Sequence, residues 1–178
     1  MKRINKKIGL TAALICLFSG NSQLNAATST GTLSVTATAT ASCSVGSVGT
    51  LAFGNFNPLS ASATTTTATI SLTCTNGTSY DVTLAAGKGS LAQRKMWAGG
   101  TDSTKTLDYD IYTHNGSTCT TSEWGDGVTS STAKVSGTGT GSAVSLTACG
   151  SIPASQTGVY TGATSQAYSD SVTVTVTY

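Results

Sequence analysis

An all-β sandwich is the fold predicted, and three observations predict it. Beyond the first 26 residues, Thr, Ser, Ala, Gly and Val dominate, and the strong helix formers Glu, Lys, Gln and Arg are scarce. No window carries a 3.6-residue apolar period, whereas apolar side chains return at every second position in short runs. Turn-forming Gly and Asn separate those runs.

Taken in chain order, Met1 to Lys7 is basic and Ile8 to Phe18 is apolar, a stretch too short to span a bilayer. The small-residue ending Leu24-Asn25-Ala26 completes a secretory signal, expected to be cut after Ala26. The predicted strands are Thr32 to Ala41, Thr50 to Phe53, Ala68 to Thr75, Tyr80 to Ala85, Leu107 to Thr113, Thr132 to Gly137, Ala143 to Cys149 and Tyr168 to Tyr178. Turns are expected at Asn76-Gly77, Gly87-Lys88-Gly89, Gly99-Gly100, Asn115-Gly116, Gly125-Asp126-Gly127 and Gly137-Thr138-Gly139. Seven or eight short strands so spaced suggest an immunoglobulin-like sandwich. Ile70, Leu72, Val82, Leu84, Ile111, Val135, Val144 and Leu146 alternate with polar neighbours, a pattern that disorder has no reason to keep.

Charge and cysteine content exclude some functions. The signal removes four of the nine basic residues, so the remainder is net acidic, and no basic stripe for nucleic acid is present. Cys16 leaves with the signal. Cys43, Cys74, Cys119 and Cys149 remain, an even number in an exported chain, which argues for two disulfides with three possible pairings. Sequence order favours Cys43 with Cys74 and Cys119 with Cys149, each closing a loop worth roughly 3 to 4 kcal/mol. Structural zinc is disfavoured because no two cysteines approach the usual close spacing.

Both ends of the exported chain pose one question. In "GTLSVTATATA", Leu33, Val35, Ala37, Ala39 and Ala41 share one face, and in "SDSVTVTVTY" Val172, Val174, Val176 and Tyr178 do so. No turn follows Tyr178 to return a partner strand. Either the arm folds back to complete its own sandwich, or the arm of a neighbouring molecule lies beside the last strand; an open edge needs covering in both cases.

The succession "LAQRKMWAGG", "LDYDIYT", "WGDG" and "IPASQTGVYTGATSQAYSDSVTVTVTY", with Cys-Ser-Val-Gly after the arm, resembles the spore coat protein U domain family, which includes the Csu-type archaic chaperone-usher pilins. The resemblance runs from about Leu33 to Tyr178. It implies an incomplete immunoglobulin-like β-sandwich completed by a donated N-terminal strand, with residues 1–26 as signal peptide, 27–42 as donor arm and 43–178 as pilin domain. It further implies a periplasmic chaperone that fills the groove, an outer-membrane usher, and head-to-tail polymerisation with identical or related pilin subunits into a cell-surface fimbria serving adhesion and biofilm formation. Carried over by position, Leu33, Val35, Ala37, Ala39 and Ala41 correspond to the inserted donor side chains. Val172, Val174, Val176 and Tyr178 correspond to a groove wall and the edge a chaperone grips. Three alanines in succession imply a shallow far end of the groove. Tyr178 departs from a common pilin pattern, in which an aromatic residue is second from the end.

Other chemistry is not expected. The single histidine, His114, sits beside a turn and no G-x-S-x-G is present, so no catalytic residue is assigned. Asp102, Asp108 and Asp110 lack the EF-hand spacing, and neither metal nor cofactor is expected. One or both of Trp97 and Trp124 are expected in the core or against the second disulfide rather than on a sugar. Asn76-Gly77-Thr78 and Asn115-Gly116-Ser117 fit the glycosylation sequon but are read as type I′ turns. Nucleic acid and stable membrane insertion are excluded as partners. A self-complemented spore or envelope coat protein and a lectin-like tip module are the competing functions.

Overall fold

The computed structural model describes residues 26–178, so the expected signal lies outside the described residues. Two units are distinguished, one ending at Thr38 and one from Ala39 to Tyr178. In the first, residues 26–38 carry no strand and are exposed throughout. The predicted strand at Thr32 to Ala41 is therefore not formed, since an alternating sequence becomes a strand only with a ladder beside it.

In the second unit the elements are β1 (Cys43–Val48), β2 (Thr64–Cys74), β3 (Ser79–Leu84), β4 (Arg94–Ala98), β5 (Asp102–His114), β6 (Cys119–Glu123), β7 (Val135–Thr138), β8 (Ala143–Ile152), β9 (Tyr168–Ser169) and β10 (Val174–Thr177). A single 3₁₀ turn spans Thr129–Ser131 among the described residues, and none of their helices is long and apolar enough to cross a membrane. The strands form two sheets, ordered β1-β2-β8-β5-β4-β9, with β6 paired to β5, and β10-β3-β7. All the pairings within these sheets are antiparallel.

The core lies between the sheets. Ile70, Leu72, Met96, Leu107, Tyr109, Ile111, Ala148 and Ile152 face Tyr80, Val82 and Leu84, and all are buried. The alternation that predicts β2, β3, β5 and β8 is thus the alternation of core and solvent faces. Both disulfides pair as sequence order favours, Cys43 with Cys74 and Cys119 with Cys149. The second ties β6, just before Trp124, to β8, as expected for a bridge pinning that segment.

Several local expectations are corrected. Thr50 to Phe53 carries no strand, while β1, β4 and β6 lie where none was expected. Tyr168 to Tyr178 is two short strands in different sheets rather than one. Gly137 and Thr138 belong to β7, and the turn follows at Gly141 with φ of 79°. Neither Asn-Gly turn is type I′, because only Gly77 and Gly116 have positive φ, 81° and 91°. Asn115 Oδ1 instead accepts from the Ser117 and Thr118 amides, an Asx arrangement.

Candidate functional site

The site is built where the chain changes sheets. At β9, Ser169 pairs with Trp97, and Asp170 then turns the backbone toward the second sheet. Its carboxylate is fixed from three directions: it accepts from the Lys88 amide at 3.1 and 3.2 Å, from the Tyr109 hydroxyl at 2.6 Å and from the Ser171 amide at 2.7 Å. Burial, then the hydrogen bond to Asp170, pushes the Tyr109 phenol above its ordinary range, so it stays a donor at neutral pH.

Past this corner β10 runs beside β3, with Val174 opposite Leu84 and Val176 opposite Val82. The Ala85 amide donates to the Thr173 carbonyl at 2.9 Å, which makes Thr173 and Ala85 a hydrogen-bonded pair. Bonded and non-bonded pairs alternate in an antiparallel ladder. Thr175 and Thr177 therefore spend their main-chain groups on β3, while Val174 and Val176 turn theirs to the free edge. The two valines point inward against the core and present unpaired backbone outward. Among the described residues no strand lies beyond β10.

Next to that edge is an open groove with a hollow of about 350 Å³. One wall is Val172, Val174 and the corner at Asp170; the other is Val48 to Phe53; Ile70, Met96, Tyr109 and Ile111 lie among the residues that line it. Leu51 and Phe53 alternate inward with an exposed Ala52 between them, although they belong to no ladder. Gly150 allows their approach: a Cβ there would sit 2.8 Å from Phe53 Cζ and 3.2 Å from Leu51 Cδ2.

The sequence-derived residues divide as follows. Val172 and Val174 line the hollow; Val176 packs on the core outside it; Tyr178 is 60% exposed. On the arm, Leu33 and Val35 are 85% and 84% exposed, and Ala37, Ala39 and Ala41 are exposed too. Val48, Leu51, Phe53, Met96 and Tyr109 were missed as groove residues. The alternation at Leu51 and Phe53 was the available signal, and for the corner at Asp170 no local signal exists.

Residues considered for other chemistry are engaged elsewhere. His114 Nδ1 accepts from the Gly116 amide at 3.0 Å within its hairpin. Asp108 pairs with Lys95 at 2.6 Å and Asp102 with Lys105 at 2.8 Å, which holds the Asp102 carboxyl below its usual range. Asp110 accepts from the Tyr112 hydroxyl at 3.2 Å, and burial raises both groups, Tyr112 to about 12. Trp124 is 1% exposed and donates from Nε1 to the Val82 carbonyl at 2.9 Å, in the core as expected. Trp97 is half-buried beneath Lys88 Nζ, 5.7 Å from the ring centroid. Among the described residues, no three His, Cys, Asp or Glu are grouped to hold a metal.

Comparison with known proteins agrees with this architecture. Among solved structures, a chain in the crystal structure of the CsuC–CsuE chaperone–tip adhesion subunit pre-assembly complex, from archaic chaperone-usher Csu pili of Acinetobacter baumannii, is similar in fold. The TM-score is 0.51 at 21% identity, over 79% of the present chain and 40% of the solved one. The chain thus spans about two fifths of the solved chain it resembles. No curated protein matches. Residues 29–175, which include β1 to β9, the first half of β10 and most of the arm, match the Spore Coat Protein U domain, and the chain belongs to that family.

Proposed function

We propose that the chain is a structural subunit of a chaperone-usher fimbria, polymerising by donor-strand exchange to serve cell-surface adhesion and biofilm formation. The observation that carries this reading is the groove: an apolar floor between two walls, one of them β10 with the backbone of Val174 and Val176 unpaired. Such an edge binds by β-strand addition, in which main-chain hydrogen bonds give affinity and alternate side chains select the ligand. The arm is a ligand of that kind. Leu33, Val35, Ala37, Ala39 and Ala41 stand on one face and are exposed in the isolated chain.

Burying Leu33 and Val35 contributes about 1.5 to 3 kcal/mol each, and the alanines less. Side chains alone thus give modest affinity, and the backbone ladder with completion of the core supplies the rest. An arm that enters another molecule makes a head-to-tail contact that need not close, so the product is a fibre. Before assembly a periplasmic chaperone covers the groove, and the outer-membrane usher exchanges it for the next arm. Family membership and a fold shared with a chain of a chaperone–subunit complex support this partnership.

Deleting residues 27–41 tests it. The truncated subunit is expected to bind its chaperone through an intact groove and to fail to join another subunit in size-exclusion chromatography. Normal polymerisation of that truncate would refute the donor role, and a heat-stable monomer from the full chain, with the arm in its own groove, would favour a self-complemented coat protein.

A further inference from the structure

We infer that the Cys43–Cys74 disulfide is a load clamp that isolates a subunit's groove from tension on its own arm; this rests on the donor-strand reading. In a fibre so assembled, pull on the arm enters the folded unit at the start of β1. That strand is an edge of the larger sheet. It borders β2 alone, its register is irregular between Val45 and Val48, and five of its six residues are exposed. Its continuation, Val48 to Phe53, is one wall of the groove. Peeling β1 would carry that wall away and release whatever strand the groove held.

The structure places its fastenings where such peeling would begin. Cys43 is the first residue of β1 and is bonded to Cys74, the last residue of β2. Immediately before it, the Ser42 amide donates to Thr75 Oγ1 at 3.1 Å and the Ser42 carbonyl accepts from the Thr75 amide at 2.9 Å. A hydrogen-bonded ladder pulled from one end opens one rung at a time. Here a covalent bond stands directly behind the Ser42–Thr75 pair, at the first residue of β1, and passes the load to β2, whose residues Thr64 to Thr73 pair with β8 along their whole length. Residues between the two cysteines, including both β1 and the groove wall, are bypassed. The Cys119–Cys149 bond joins β6 to β8 and bypasses neither, which makes it the internal control.

Optical-tweezer pulling of the exported chain, with handles at Thr28 and Tyr178, reads this directly. The oxidised protein is expected to show no step from β1; release of β10, which the Tyr178 handle pulls from β3, is common to every form. With Cys43→Ala/Cys74→Ala, an early step of about 40 Å is expected, as roughly 21 residues from Cys43 to Thr64 are freed at 3.3 to 3.6 Å each and the roughly 33 Å that β2 already spans between those points is subtracted. Cys119→Ala/Cys149→Ala should lack that step. Should the double variant fold poorly, a phosphine reductant added to the folded wild type at constant force should produce the step. The β1 step in the oxidised protein, or its absence after reduction, overturns the clamp.

A labelled synthetic peptide of residues 27–41 then separates the two readings. Its failure to bind without load would sink the groove assignment and leave the extension step to decide the clamp. If it binds, it should dissociate about tenfold faster under load once the disulfide is gone, as a change in off-rate. Equal dissociation with and without the bond would overturn isolation of the groove.

Discussion

The two sides of the smaller sheet are built from the same kinds of residue and end differently. Both flank β3, whose Val82 and Leu84 face the core. On the β7 side the segment around Trp124 closes the gap between the sheets. The Trp124 amide donates to Ile111 at 2.7 Å and its indole to Val82 at 2.9 Å, while Leu84 donates to Gly125 at 3.0 Å and Ala133 to Glu123 at 2.6 Å. Arg94 adds a buried guanidinium on the Trp124 and Ala85 carbonyls. On the β10 side the valines are equally apolar, yet past the corner at Asp170 no further backbone bridges the sheets among the described residues, and a hollow remains. The difference is one of main chain rather than of hydrophobicity: one side has a segment that satisfies both sheets, and the other has no such segment among the described residues. A sandwich bonded this thoroughly along one side can keep the other open without collapsing.

The strongest way to break the comparison is to damage the closed side. Trp124→Ala removes a fully buried indole and its hydrogen bond to Val82, and a loss of about 3 to 5 kcal/mol is expected in urea unfolding. A loss below about 1 kcal/mol, the ordinary cost of a point mutation, would mean that this side does not hold the sheets together. The open side should respond in binding instead. Val174→Asp places a carboxylate beneath an incoming strand, where burying it unpaired costs several kcal/mol, so affinity for the 27–41 peptide is expected to fall about 100-fold or more. Its stability should change far less than that of Trp124→Ala, because Val174 is only half-buried before a strand arrives. Peptide binding unchanged by titration calorimetry would remove β10 from the site.

Much of this was legible because it is local. The two-residue period locates β2, β3, β5 and β8, and it marks both the arm and the valines of β10. Both disulfides follow sequence order. What could not be read depends on distant partners. Arg94 and Lys95 leave β4 without an apolar alternation to mark it, yet Arg94 is buried because carbonyls from two other segments receive it. Residues 168–178 read as one strand because their alternation barely falters, and the break at Asp170 is imposed by Lys88 and Tyr109, some eighty and sixty residues away. The second groove wall was half visible: Thr50 to Phe53 has the alternation of a strand but no ladder, so the pattern was right about which side chains face inward and wrong about the state of the backbone.

The corner at Asp170 gives the smallest of these effects and the one that joins the two sides, since Tyr109 stands on β5 in the closed core and lines the groove. Burial and the hydrogen bond to Asp170 raise its phenol above the usual value of 10.0. For a group whose folded pKa is raised, stability is intact below the unfolded value and is lost as pH climbs toward the folded one. Above about pH 10 the unfolded chain therefore gives up a proton that the folded chain keeps, and Tyr109 lowers stability by about 1.4 kcal/mol per pH unit over that window. Tyr112, raised to about 12 mainly by burial, adds to the slope. Tyr109→Phe should be less stable than wild type at pH 7, having lost the bond to Asp170, and should lose less on going from pH 10 to 11.5. Parallel stability curves for the two proteins across that range would show that Tyr109 is not held neutral at the corner, and the Asp170 anchor would need another donor.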